Sequence, residues 1–285
     1  ITKMLVATVV MQLKEEDRLS LDDPVVDHLP RPTPVAKLLD GVTVEDLLAH
    51  TSGLPDSGRS SELVEALVDH PDRAWTVDGV LKIVAKSEPE FAPGSAYAYS
   101  NTNYLILGEV IEGATGRPWH AEVRERILNP LGMTASYIAG GEEPSGRLIP
   151  GYFDLDNDGV TELVPAPWPA LETSEGAAGA LVSTAPDLMK FIEAFAAGEV
   201  VPPAAVRRMT SPGPFAARHS GYGLGVELLR PDLENRVWGH GGLVPGYRGV
   251  MWHVPAEGKS VVVLTNESRS RPDGLAETLL RMTSD

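Results

Sequence analysis

Residues 246–265 read Gly246-Tyr-Arg-Gly-Val-Met-Trp-His-Val254, Pro255-Ala-Glu-Gly258, Lys259 and Ser260-Val-Val-Val-Leu-Thr265. Two runs rich in β-branched and aromatic residues flank a turn built on Pro and Gly, the pattern of an antiparallel strand pair. Upstream, Tyr222-Gly-Leu-Gly-Val226 is a third such run, set off by the turn residues Arg230-Pro-Asp232, and His240-Gly-Gly242 leads into a strand. Downstream, Pro272 to Met282 reads as a closing helix. Before Pro214 the period is helical. Thr2 to Asp17 carries Leu5, Val6, Val9, Val10 and Leu13 at helical spacing with apolar residues on nearly every face, which marks a buried helix. Thr43 with Asp46, Thr76, and Thr184 ahead of Pro186 are helix starts, and Asn103 to Glu112 holds a further apolar face. Residues 134–176 are irregular, with Gly and Pro throughout. Helices followed by antiparallel strands define an α+β class: an antiparallel sheet flanked by helices, plus a mostly helical subdomain. The expected division is 1–18 for a helix of the α/β domain, 19–205 for the helical subdomain, and 206–285 for the C-terminal strands and helix.

The chain has 285 residues, 42% of them apolar, with 28 Gly, 24 Pro and no Cys. That is enough to bury a core, so a disordered or fibrous chain is excluded. The net charge of −16 argues against a nucleic-acid or anionic-membrane partner, because both require a basic surface. Without cysteine there is no disulfide framework, thiolate metal site or cysteine nucleophile. The longest apolar stretch, Met4 to Met11, is far shorter than the roughly 20 residues that span a bilayer.

Three separated clusters carry candidate chemistry: Ile1-Thr2-Lys3 at the head of the buried helix, Tyr99-Ser100-Asn101 after the Pro93-Gly94 turn, and His240-Gly241-Gly242. Taken singly, each has a plain structural reading, as a snorkelling lysine, a helix cap and a turn. Between them stand His50-Thr-Ser-Gly-Leu-Pro55, Phe91-Ala-Pro-Gly-Ser-Ala-Tyr-Ala-Tyr-Ser-Asn-Thr-Asn-Tyr104, Ala177-Ala-Gly-Ala-Leu-Val-Ser-Thr184 and Gly221-Tyr-Gly-Leu-Gly225. In that order and over almost the whole chain, the sequence resembles the serine β-lactamase and penicillin-binding protein superfamily. The branch it resembles most holds D-alanyl-D-alanine carboxypeptidases, D-aminopeptidases and esterases.

The resemblance implies the following roles. The first family motif is Ser-x-x-Lys, so Lys3 places the nucleophilic serine immediately before Ile1, outside this sequence, with further N-terminal strands upstream. A lysine three residues from a serine lies one helical turn away on the same face, and burial lets its amine act as a base. Tyr99 matches the tyrosine that shuttles a proton, with phenolate character supported by Lys3, and Asn101 hydrogen-bonds Lys3 and the substrate amide. His240 stands at the third motif, where it polarises the Tyr99 hydroxyl and meets the leaving group. Gly242 keeps that strand bare for a substrate backbone, and the oxyanion hole combines the nucleophile's own N–H with that of Leu243.

The pattern also departs from the carboxypeptidases. Gly241 and Leu243 replace hydroxyl residues that hold a substrate carboxylate, Glu227 stands where an Arg is expected, and Arg248 is the remaining cation nearby. Trp168 and Trp238 are expected near the cleft. The expectation is therefore a serine-dependent hydrolase working through an acyl-enzyme on an ester or a D-amino-acid amide or peptide, with β-lactams as possible covalent ligands. Alternatives are a D-alanyl-D-alanine carboxypeptidase, a peptide cyclase or acyl transferase on the same residues, and an inactive penicillin-binding-like sensor. Family analogy points to a secreted or periplasmic location. No cofactor is called for. Asp154-Leu-Asp-Asn-Asp-Gly159 imitates a calcium loop but has Pro165 at its twelfth position, so it reads as an acidic turn, and His120, His219 and His253 lack metal-ligand spacing.

Overall fold

The longest apolar stretch forms helix α1 (Thr2–Glu15), in which every residue from Thr2 to Met11 is buried. A helix apolar on all faces needs neighbours on all faces. They come from α5 (Asn101–Thr115), α6 (Trp119–Val123) and α7 (Pro169–Gly179), and from strand β7 (Val237–Val244). The computed structural model describes residues 1–154, 159–164, 167–215, 220–229 and 236–282. Before α5 come α2 (Val44–Ala49), α3 (Ser61–Asp69) and α4 (Val77–Val84). Thr43 caps α2 through a reciprocal box with Asp46, and Thr76 caps α4 through Gly79 N–H.

Residues 134–184 hold two short antiparallel pairs, β1 (Tyr137–Ile138) with β4 (Leu181–Val182), and β2 (Tyr152–Phe153) with β3 (Glu162–Leu163). Then follow α8 (Ala185–Ala197), capped by Thr184 and closed by Gly198 in the left-handed conformation, and α9 (Pro203–Met209). The main sheet is wholly antiparallel and runs β5 (Ser220–Tyr222), β6 (Glu227–Leu229), β7, β8 (Tyr247–Val254), β9 (Lys259–Thr265) among the described residues. Met251 and Trp238 join the main core on one side of it. Val250, Trp252, Val261 and Val263 form a second cluster with Ala276 of α10 (Pro272–Met282) on the other. Cover on both faces explains why β8 shows no polar alternation.

The sheet has more strands than the three β-rich runs suggest. Tyr222 to Val226 is a reversal between β5 and β6, closed by Gly223 N–H donating to Val226 O at 2.8 Å. His240-Gly-Gly242 lies in the middle of β7 and pairs with Met251, Val250 and Gly249. Helix α5 begins at Asn101, two residues before the apolar pattern shows it, because its cap is not local. The Asp56 carboxylate accepts Asn101 N–H at 2.9 Å, a bond no periodicity can reveal.

The reversal is pressed against α1. Gly225 has φ +75°, its N–H donates to Leu48 O at 3.1 Å, and a Cβ at this position would stand 2.2 Å from the Ala7 methyl. Only glycine fits both the backbone conformation and the space. Gly225→Ala is therefore expected to cost about 3 kcal/mol through strain and overpacking. Urea unfolding at constant m-value checks it, and a midpoint equal to that of the unsubstituted protein would contradict it.

Candidate active site

Lys3 sits in the first turn of α1 with its ammonium fully enclosed. Its Nζ donates to Asn101 Oδ1 at 2.7 Å and to the Ala178 carbonyl at 2.8 Å. Burial lowers its pKa to about 8, against the opposing pull of Glu175, Asp56 and Glu227. The Asn101 amide is itself fixed, because Nδ2 donates to Asp56 Oδ1 at 3.1 Å while the same oxygen caps the Asn101 backbone. Asp56 thus decides which end of Asn101 faces Lys3. Sequence reading passed over Asp56, although it directly follows the His50–Pro55 motif. Ala178 reaches Lys3 because α7 breaks at Gly176, whose φ of +41° and ψ of −131° are non-helical.

Tyr99 lies beside Lys3, but Nζ stands 4.9 Å from the centre of its ring rather than against its oxygen. Burial, aided by the negative charge of Glu227, raises the Tyr99 pKa far above the ordinary phenol value. It is a neutral phenol, not the phenolate expected from the sequence. His50 packs on the same ring with centres 4.3 Å apart. The left-handed backbone at His50 (φ +58°) ends α2, and its Nδ1 accepts from Ser100 N–H at 3.2 Å and from the Asn103 amide at 3.0 Å. These bonds carry the Tyr99 segment, consistent with a structural histidine.

His240 departs from the sequence expectation. Its ring is buried, Nε2 meets the Tyr222 hydroxyl at 2.9 Å, and Nδ1 stands 3.4 Å from both the Ile1 nitrogen and the Glu227 carboxylate. Its Nδ1 lies 2.6 Å from Gly241 O. A carbonyl only accepts, so Nδ1 carries the proton and Nε2 receives the Tyr222 O–H. Burial above all, with the positive charges of the Ile1 amino group and then Lys3 adding to it, pushes the imidazole pKa well below its usual value. The hydrogen bond of His240 is thus to Tyr222, and none joins it to Tyr99. Tyr222 was missed as a functional residue because Gly221-Tyr-Gly-Leu-Gly225 reads as a strand.

A cleft of about 1180 Å³ joins these parts. Lys3, Tyr99 and Asn101 line one part of it, and Gly241, Gly242 and Leu243 of β7 another. The Ile1 nitrogen donates to Gly241 O at 2.8 Å, and a Cβ on Gly242 would stand 3.6 Å from it. The position preceding Ile1 is thereby set against the bare strand. Glu227 also faces the cleft; its carboxylate accepts Gly241 N–H at 3.2 Å, and burial raises its pKa. Arg248, across the hairpin from Leu243, is held by Ser270 O at 3.4 Å and Asp273 at 3.7 Å.

Trp168 lines the cleft as expected, its Nε1 donating to Leu67 O at 3.2 Å. Trp238 does not. It lies in the core against Phe195 of α8, with ring centres 5.4 Å apart. Of the calcium-like turn, residues 155–158 and Pro165 lie outside the described residues, as does His219; Asp154 pairs with Arg269. Among the described residues no group of His, Asp and Glu is arranged to hold a metal, and no helix is long and apolar enough to cross a membrane.

The assigned tautomer is directly testable. Long-range ¹H–¹⁵N correlation spectra should show His240 as the neutral Nδ1–H form down to pH 6, and Tyr222→Phe should shift its Nε2 resonance. A ring that titrates near pH 6.5 would disprove the assignment.

The chain is similar to several known proteins. The chain is 29% identical to penicillin-binding protein 4 of Amycolatopsis lactamdurans over 93% of its length and 70% of that protein's. It is 31% identical to the esterase EstB of Burkholderia gladioli, covering 99% of this chain and 79% of the esterase. The solved structure of a D-stereospecific amidohydrolase from Streptomyces sp. superposes with a TM-score of 0.80 at 32% identity, over 94% of this chain and 80% of that one. Residues 1–282 match the Beta-lactamase family model, and the chain belongs to that family.

Proposed function

We propose that the chain forms the catalytic unit of a serine hydrolase that cleaves esters or D-amino-acid amides through an acyl-enzyme. The observation that carries this reading is Lys3, a buried amine whose pKa is lowered to about 8 and whose direction is fixed by Asn101 and the Ala178 carbonyl. A structural lysine gains nothing from such desolvation, whereas a base needs a pKa near the working pH. The relatives named as an esterase and as a D-stereospecific amidohydrolase support the substrate class.

In this reading the nucleophile is a serine immediately before Ile1. Lys3 Nζ takes its hydroxyl proton as the oxygen attacks the scissile carbonyl. The tetrahedral oxyanion is met by the serine N–H and by Leu243 N–H, with Gly241 and Gly242 leaving room for the substrate backbone. Tyr99, a neutral phenol beside Lys3, gives its proton to the departing alcohol or amine and recovers one from Lys3. Water then adds to the acyl-enzyme by the reverse proton path, releasing the acid and restoring the serine. His240 and Tyr222 act from behind as positioning residues. β-Lactams enter the same path as slowly hydrolysed acylating ligands.

A D-alanyl-D-alanine carboxypeptidase is less well supported. Its substrate carboxylate would meet Glu227 with no hydroxyl at 241 or 243, and the Arg248 cation is already engaged by Asp273.

Three measurements on the protein carrying its upstream residues test the reading. A fluorophosphonate adduct should map to the residue before Ile1, and Lys3→Ala should lower kcat/KM about 10³-fold. Only the neutral amine accepts a proton, so kcat/KM should rise with pH and level off above about pH 8. A profile flat from pH 6 to 9, or an adduct elsewhere, would refute the proposal.

A further inference from the structure

Glu175 takes no part in the chemistry above, yet it stands beside it. It lies in α7 immediately before the break at Gly176, and its Oε2 folds over Gly179 so closely that a Cβ there would be 2.6 Å away. It shares the cleft wall with Lys3, Tyr99, Trp168 and Leu171, and it is the strongest of the carboxylates that act on Lys3.

The neighbouring carboxylates are all engaged. Asp56 accepts from Asn101 and Gly58, Glu172 accepts Trp168 N–H at 3.0 Å, and Glu227 accepts Gly241 N–H. Among the described residues Glu175 receives no hydrogen bond and no ion pair; its interaction with Lys3 is through space, because Nζ donates to Asn101 and Ala178 instead. The carboxylate is part-exposed in the cleft wall, and desolvation there raises its pKa. Once Lys3 is neutral, as a base must be, Glu175 loses the cation that acts on it through space. The other cations of the cleft do not serve it. Arg248 is held by Asp273, and Arg147 is exposed on the loop before Ile149. The same cleft is lined by the apolar side chains of Leu67, Trp168 and Leu171.

We propose that Glu175 binds the ammonium group of the substrate's acyl portion, so that the enzyme selects aminoacyl esters and amides that carry a free amine beside an apolar side chain. This inference rests on the hydrolase reading above and adds the acyl-side determinant to it. The carboxylate accepts one or two charge-assisted hydrogen bonds from the ammonium, and the side chain lies along Trp168 and Leu171.

The test compares D-phenylalanine methyl ester with its N-acetyl derivative on the full-length protein. The free amine should be favoured about 30-fold in kcat/KM, the worth of a charge-assisted hydrogen bond, and Glu175→Gln should bring the ratio to within about threefold of one. Glu175→Asp should retain part of the preference. Equal turnover of the two esters by the unsubstituted protein, or an unchanged ratio in Glu175→Gln, would overturn the inference. Should Glu175→Gln fail to fold, judged by loss of fluorophosphonate labelling, the Glu175→Asp ratio decides. Should the unsubstituted protein take no label, the hydrolase reading is what fails. Calorimetric binding of phenethylammonium against 3-phenylpropanol to the unsubstituted protein then decides the ammonium site, with tighter binding of the cation supporting it and equal binding refuting it.

Discussion

A lysine ammonium cannot be taken out of water unless fixed dipoles replace its hydration, and the site of this protein is organised around that constraint. Lys3 meets it with two acceptors drawn from distant segments, Asn101 Oδ1 and the Ala178 carbonyl. Each acceptor depends on a further device. Asn101 is turned by Asp56, which also caps α5, and Ala178 is presented only because Gly176 interrupts α7. The first turn of α1, the start of α5 and the end of α7 are thus locked to one atom. Two acceptors leave the third proton of the ammonium free to point at the cleft, which is the geometry a proton carrier needs.

Around this amine the histidines and tyrosines are held neutral. Burial lowers the pKa of His50 and His240 and raises that of Tyr99 and Tyr222. Their hydrogen bonds agree with neutral forms: Tyr222 donates to His240 Nε2, and His50 Nδ1 accepts from Ser100 and Asn103. Neutral partners add no charge that would pull Lys3 back to its ordinary value. Carboxylates do pull it back, and Glu175 does so most strongly. The value of about 8 is therefore a balance between burial and the cleft's own acids, which ties the base to the residue proposed to read the substrate amine.

Much of the architecture was legible because it follows local rules. The all-round apolar face of α1, the caps at Thr43, Thr76 and Thr184, and the closing helix from Pro272 to Met282 each leave a mark within a few residues. Motif order brought Lys3, Tyr99, Asn101 and the β7 glycines together, and the fold places them around one cleft. What could not be read depends on distant contacts. The cap of α5 comes from Asp56, the reversal at Gly223–Gly225 is set by the surface of α1, and the partner of His240 is Tyr222. Trp238 was misplaced for the same reason, since its ring partner Phe195 lies far away in sequence.

The net charge of −16 describes the surface; the cleft is governed by a few enclosed groups. Glu227, which in sequence looks like a plain repulsive charge, is partly satisfied by Gly241 N–H and lies close to the His240 ring. Its effect on a substrate carboxylate is weakened by that bond and by the rise in its pKa on burial. The stronger obstacle to an anionic terminus is the lack of donors: Gly241 and Gly242 bring no side chain, Leu243 is 61% exposed and apolar, and Arg248 is paired with Asp273. A carboxylate entering there would lose water and gain nothing, whereas an ammonium near Glu175 would gain an acceptor that has no other donor among the described residues. Selectivity in this cleft therefore follows from which of its groups remain unsatisfied, not from the sum of its charges.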